Sequence, residues 1–324
     1  SRNKNSENPT LMAGVPAHSA EKYIAKLVQH GHKVAVADQV GPVVTGKLVE
    51  RKVVRVVSPG TFLQEKSEKM RILAAAVMIP SKSGNSWHCA RGDLGLGSFR
   101  TKSFAHEDDL VRFLLQLGPA ELVLPQNFAL FRILSERLRT QCQTVVSVFD
   151  VPGNVAEFLE EILEISSLEI FGASLAGGRE NAFALLLRYV VHLHNFSKIL
   201  LQDLRLAEDA SAVYFDEISQ KNLEVFEAQY ENSQKFTLLG ILDRTATASG
   251  SRLLRARLAE PTRNLEILRD RQKLISHFLE NLEFAKKLEK FLGAAPDFLR
   301  VSSLILYRNA RPVLFFKLLI FLGN

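Results

Sequence analysis

Cysteine is scarce in this chain: Cys89 and Cys142 are the only two in 324 residues. They form no CxxC pair and have no histidine at ligand spacing, so neither a disulfide framework nor a zinc site is indicated. Two idle thiols in a reducing compartment is the plain reading. Long apolar runs are missing too. The nearest, VLFFKLLIFLG from Val313 to Gly323, falls short of the roughly 18 residues a membrane span needs and carries Lys317, so it reads as a helix meant for burial. The opening SRNKNSENP has no initiator methionine and no signal-peptide pattern. The expectation is that both ends are cut rather than finished.

Chemical constellations are equally sparse. GPVVTGKL, Gly41 to Leu48, has the glycine spacing and lysine of a phosphate-cradling loop, but Leu48 stands where the magnesium-ligating hydroxyl belongs. Such a loop also hands phosphate to the N-terminus of a helix directly after it. The residues after this one, LVERKVVRVV, are instead rich in Val and strand-like. Gly92, Gly95 and Gly97 lack the third spacing of a dinucleotide fingerprint. Asp93 is a lone carboxylate, whereas metal-dependent nuclease chemistry needs several converging acids. His192 and His194, two apart, point to different helix faces and are poor joint ligands.

What is present is an ordinary globular composition, 47% hydrophobic and 23% charged, long enough for two or three domains. Basic charge is concentrated at one end. Residues 1–60 hold nine Lys/Arg against four Asp/Glu, a surplus of five within a chain total of +6. Phosphate backbones attract such a patch whatever their sequence, although a solvated face of a small basic domain has the same composition.

SAEKYIAKLVQHG predicts a short helix with Ser19 as cap, Tyr23, Leu27 and Val28 on one face, and a stop at Gly31. Strands over 33–40 and 48–57 come after it, joined by the Gly41–Leu48 turn and closed by Pro59-Gly60. RILAAAVMIP and SWHCARGDLGLGSFRT predict strands flanking a polar turn at SKSGN. A helix from His106 to Leu117, a strand from Glu121 to Pro125, a helix from Gln126 to Thr140 and a strand from Thr144 to Asp150 come next. This alternation predicts an α/β layer domain with some parallel pairing. From Asn154 the pattern is helical: NVAEFLEEILEI, a long apolar helix from Asn181 to Leu201, and after Val213 NLEVFEAQY, SQKFTLLGILDRT, ATASGSRLLRARLAEP and the stretch NLEIL to FLG, with charged outer faces.

These blocks, in this order, resemble the bacterial mismatch-repair family MutS. Met12 to Pro16, His18, Gly31, Val34 to Val36 and Asp38-Gln39 are similar to the end of its mismatch-binding domain, and Arg51, Arg55 and Pro59-Gly60-Thr61 to its exit strand. Downstream, Asp216, Asn222 to Glu224, and the stretch from Leu242 to Pro261 match its core. Arg257, where the family usually has Trp, and Ser219, for its Thr, depart from the pattern.

The resemblance implies a multidomain α/β plus all-α chain. Residues 1–62 would be the C-terminal part of a mixed α/β mismatch-binding domain, 63–165 a ribonuclease H-like α/β connector without nuclease chemistry, and 175–324 a truncated long-helix core and lever domain. It implies DNA mismatch recognition, with double-stranded DNA carrying mismatches or small loops as partner. For the full-length family it implies a homodimer, the repair partner MutL, ATP and magnesium in an ATPase expected beyond Asn324, and a cytoplasmic, nucleoid-associated setting in bacteria. No cofactor and no catalytic residue are expected in this chain.

The family's Phe-x-Glu wedge is expected before Ser1; the triplets at Phe158, Phe215 and Phe278 fall in helical or core stretches. The candidate DNA contacts are the loop Met12, Ala13, Gly14 and Val15 with Lys47, Arg51, Lys52 and Arg55. A packing turn and a solvated strand face stand beside that reading. An alternative function is a helical scaffold without DNA binding; a third, nucleotide hydrolysis at Gly41 to Leu48, predicts binding that Lys47→Ala abolishes.

Overall fold

The computed structural model describes residues 14–16, 19–40, 49–62, 71–80, 84–168, 177–194, 203–205, 213, 217–226, 228, 234–259, 261–306 and 312–323. The first unit is helix α1 (Ala20–Gln29) against a two-stranded ribbon, β1 (Val34–Gln39) and β2 (Arg51–Val57). The strands pair antiparallel from Val34↔Val57 to Gln39↔Arg51, with a bulge between Val36 and Ala37. The stop at Gly31 has its physical cause: φ is +83 there, and the His32 N–H returns to the Leu27 carbonyl at 3.0 Å.

Ser19 occupies the cap position, but its side chain makes no capping bond. The buried stripe of α1 is Ile24, Ala25 and Val28, while Tyr23 and Leu27 are exposed. The expected face is therefore rotated. A ribbon two strands wide covers only a narrow stripe, and Val57, Phe62, Val34 and Val36 fill it.

The second unit is a sheet of six strands in the order β7-β6-β3-β4-β5-β8. In chain order its elements are β3 (Leu73–Ile79), β4 (Ser86–Asp93), β5 (Ser98–Phe104), α2 (Glu107–Leu117), β6 (Glu121–Leu124), α3 (Phe131–Cys142), β7 (Val145–Val148), α4 (Val155–Leu163), α5 (Arg179–His194) and β8 (Asp203–Arg205). An antiparallel meander β3-β4-β5 is extended by β6 and β7, parallel through helical crossovers, and by β8 parallel to β5. This is the mixed α/β arrangement the resemblance implied.

Both sheet faces are covered, which is why β3 reads LAAAVMI with no polar alternation. Leu73, Ala75 and Val77 join the core under α4 and α5; Ala74 and Ala76 join the opposite core under α2 and α3.

Two local expectations are corrected. SWHCARGDLGLGSFRT is two strands, not one, because Asp93 accepts the Leu96 N–H on its side chain (3.1 Å) and its carbonyl (3.2 Å), with Gly97 at φ +60. The side-chain acceptor substitutes for a ladder bond and closes a hairpin. Next, β8 lies in a stretch that carries no strand signal of its own; at three residues its pairing with β5 decides it. α5 packs on the sheet as well, with Phe183 edge-on to Phe99 at 5.8 Å.

The remainder is helical: α6 (Glu217–Asn222), a 3-10 turn at Gln234–Phe236, α7 (Leu238–Leu242), α8 (Ala248–Ala259), α9 (Leu265–Glu280), α10 (Leu282–Gly293), α11 (Phe298–Leu306) and α12 (Pro312–Leu322). NLEVFEAQY departs from its predicted helix: α6 ends at Asn222, and Glu224 takes φ +48. NLEIL to FLG is two helices divided at Asn281, whose φ of −121 ends one and starts the next. Among the described residues no helix is long and apolar enough to cross a membrane.

Candidate nucleic-acid interface

The ribbon divides at its bulge. On the proximal side Val34, Val36 and Val57 pack toward α1. Beyond it, Ala37 to Val40 and Glu50 to Val54 are exposed on both faces, although the Val40 N–H still pairs with the Glu50 carbonyl at 2.9 Å. The result is a protruding arm, a shape that fits a duplex groove.

Arg51 and Lys52 sit on this arm opposite Gln39 and Asp38. Both are exposed, and Lys52 lies 3.5 Å from Glu50 in an open ion pair of little energetic weight. Arg55 lies at the root of the arm, opposite Val36, and its guanidinium pairs with Glu21 of α1. Gly14 and Val15 are exposed, with nothing within 4 Å of a Cβ added at Gly14. Met12, Ala13 and Lys47 lie outside the described residues, as does the Gly41–Leu48 segment. α1 adds exposed Lys22 and Lys26, the latter 5.9 Å from the Tyr23 ring centre.

The root of the arm is unusual in being a buried turn. Ser58, Pro59, Gly60 and Thr61 are all buried, and Ser58 and Thr61 satisfy one another through side-chain and backbone bonds of 2.9 to 3.2 Å. Gly60 sits so close to the sheet that a Cβ would fall 2.7 Å from Leu73 Cδ1 and 2.9 Å from Glu121 Cβ. Glu121, at the start of β6, is completely buried. Its Oε2 accepts the Gly60 N–H at 3.0 Å; its Oε1 accepts the hydroxyls of Ser147 and Tyr189, each at 2.5 Å. Lys33 Nζ stands 3.7 Å from Oε1 and 5.3 Å from the centre of the Tyr189 ring. Burial first, and then the Glu121 charge, push the Tyr189 phenol well above its ordinary pKa, so it stays a donor. In sequence Glu121 had passed as one residue of a strand; nothing local distinguishes a buried acceptor from a surface one.

The core-like stretch from Leu242 to Pro261 turns out to be held by its own polar residues. Asp243 accepts the Ser251 hydroxyl, and the Thr245 N–H and hydroxyl at 3.1 and 2.6 Å; these bonds, Ser251 first, hold its carboxyl below the usual range. Arg252 forks onto Asp297 at 2.6 and 2.7 Å, tying α8 to the start of α11.

No catalytic arrangement emerges among the described residues. The first element after residue 48 is β2 and not a helix, whereas a nucleotide phosphate is held at a helix N-terminus. Gly92, Gly95 and Gly97 belong to the β4–β5 hairpin, and no group of three metal-ligating side chains occurs among the described residues. The triplets Phe158-x-Glu160 and Phe278-x-Glu280 lie in α4 and α9; Phe215 is outside the described residues.

Three domain families match the chain in succession. MutS domain I matches residues 1–66, MutS domain II residues 71–202 and MutS domain III residues 219–320. The second spans α5 and ends at the residue before β8.

Proposed function

Since the chain belongs to the MutS family, with the first three of its domains in order, we propose that it grips mismatched or looped duplex DNA with the β1–β2 arm. The observation that carries this is the arm itself: exposed on both faces beyond the bulge, bearing Arg51 and Lys52, and rooted in a buried turn. Arg and Lys on such an arm hold phosphates without reading sequence. Discrimination then comes from how cheaply a mispaired step bends, a cost set by the DNA.

In this reading Arg51 and Lys52 meet phosphates directly, and Arg55 braces the arm through Glu21. The Met12-Ala13-Gly14-Val15 loop and Lys47 complete the contact surface. ATP and magnesium chemistry, homodimer formation and engagement of MutL are assigned to the family's longer protein rather than to any residue named above.

Fluorescence anisotropy on a duplex with one mismatch and on its matched counterpart tests the reading. Arg51→Ala with Lys52→Ala weakens binding to both duplexes alike and lowers the slope of log affinity against log salt by about 2, one for each lost phosphate contact. An unchanged slope would remove both residues from the interface.

A further inference from the structure

The arm projects from a joint, and the joint has one acceptor at its centre. Glu121 lies on β6 of the connector, yet its four partners are all distant in sequence and two of them, Gly60 and Lys33, belong to the mismatch-binding unit. Gly31, which ends α1, meets the same sheet beside Glu121: a Cβ there would lie 3.1 Å from Val145 Cγ2 of β7, the residue paired with Glu121 across β6 and β7. A buried carboxylate without partners is strongly disfavoured. Here its lone pairs are taken by donors from both units, so separating the units would leave an uncompensated charge behind.

The geometry points to Glu121 as a positioning residue that fixes the attitude of the β1–β2 arm on the connector sheet, through the Gly60 N–H, so that force on the arm is delivered to β6 and α5. This rests on the reading of the arm as the DNA-gripping element. The two oxygens divide the work. Oε1 satisfies Ser147 of β7 and Tyr189 of α5, both in the six-stranded unit, and lies nearest Lys33; Oε2 alone holds the arm's exit turn.

That division sets the test, made on the full chain by hydrogen exchange and by anisotropy on the mismatched duplex. Glu121→Leu keeps the bulk and removes every acceptor. Amide exchange over 55–62 is expected to rise about tenfold, the effect of losing one bond to a charged group, with β4 and β5 unchanged, and affinity for the mismatched duplex is expected to fall by a similar factor. Gly60→Ala attacks the joint from the other side by steric push and gives the same pair of changes if Glu121→Leu does not fold. Glu121→Gln restores both values: its amide oxygen accepts from Gly60 while its NH2 faces the two hydroxyl oxygens, which accept as readily as they donate.

Unchanged exchange over 55–62 in both disruptive variants would overturn the joint. Raised exchange with unchanged affinity would leave the turn anchored but deny that the anchor positions the arm. A glutamine variant as damaged as the leucine one would overturn the acceptor as the cause. If the unaltered chain binds neither duplex at low salt, the DNA reading fails by itself, and the exchange data still decide the joint.

Discussion

Compare β3, LAAAVMI, with α12, PVLFFKLLIFL. The strand has five residues buried and two half-buried; the helix, apolar except for Lys317, has none buried. The same holds more widely. Leu110, Leu114, Leu122, Leu134 and Leu138 of the connector are fully enclosed, whereas α8, α9, α10 and α12 contain no buried residue. Composition therefore does not decide burial; topology does. A strand in the middle of a mixed sheet is covered on both faces by the helices that its own crossovers require. A helix closes nothing by itself and buries a stripe only where another element crosses it. The connector contains its cover, and the helical region shows local pairings such as Phe321 against Phe291 at 5.1 Å, with no closed core among its described residues.

The largest expected difference comes straight from that contrast. Leu122→Ala, at a site with no exposure, should destabilise the connector by about 3 to 5 kcal/mol through lost transfer energy and an unfilled cavity. Leu279→Ala on α9, where the side chain is 66% exposed, should change stability by less than about 0.5 kcal/mol. Denaturant unfolding followed at Trp87 measures the first cleanly, because the chain's one tryptophan is buried in the connector beside Phe128, edge-on at 5.7 Å. Equal losses at the two sites would mean that α9 is covered in solution.

A smaller effect tests whether the helical region has any fixed point. Arg252 and Asp297 are each 17% exposed and bonded by a two-pronged fork. Arg252→Ala should cost about 2 kcal/mol, read as faster exchange in α8 and α11, since it strands a half-buried carboxylate. Burial alone would raise the Asp297 carboxyl, but the Arg252 hydrogen bond and charge outweigh it and hold the pKa below the ordinary value. A depressed folded-state pKa contributes stability that is complete above the unfolded value of about 3.9 and is lost as pH falls through the folded one. The acid limb of α8 exchange should therefore flatten in Asp297→Asn. An unaltered limb would mean that the fork carries no weight.

How much of this was legible in the sequence can be traced residue by residue. The stop of α1 was legible because Gly31 must adopt a positive φ, and β3 because a run of seven small and branched apolar residues has few other uses. The family was legible because ordered blocks survive distance. The buried face of α1 was not, since Tyr23, Leu27 and Val28 make as good a stripe as Ile24, Ala25 and Val28 until the width of the ribbon is known. The β4–β5 hairpin was hidden because Asp93 and Gly97, not a Pro or an Asn-Gly pair, make its turn. Glu121 was hidden for a deeper reason: its partners run from Lys33, far before it, to Tyr189, 68 residues after it, and no local pattern encodes an acceptor shared across units. Of the candidate interface, alternation along β2 would expose only one of the neighbours Arg51 and Lys52; both are exposed because the arm runs past α1, and the ion pair of Arg55 with Glu21 depended on where α1 docks.

The smallest effect probes the seam between the two regions from the connector's side. Asp93, at the β4–β5 turn, has its pKa raised by burial against the opposing pull of the Leu96 and Gly95 N–H groups and of Arg300 and Arg252, which reach it from α11 and α8. A raised carboxyl penalises the folded state above its folded-state pKa, and that penalty is relieved as pH falls through it, the reverse of Asp297. Asparagine keeps an acceptor for the Leu96 N–H and a turn-forming side chain, and it sheds the charge whose burial is unfavourable. Asp93→Asn should therefore raise stability at pH 7 by less than about 1 kcal/mol and lose that advantage in acid, where the parent carboxyl is protonated in both states. Thermal unfolding of the two proteins at pH 7 and at about pH 2.5, below the ordinary Asp value, followed at Trp87, reads the difference. A destabilised variant at pH 7 would instead mean that the attraction of Arg300 and Arg252 outweighs desolvation, making Asp93 a tie between the connector and the helices rather than a cost to the connector alone.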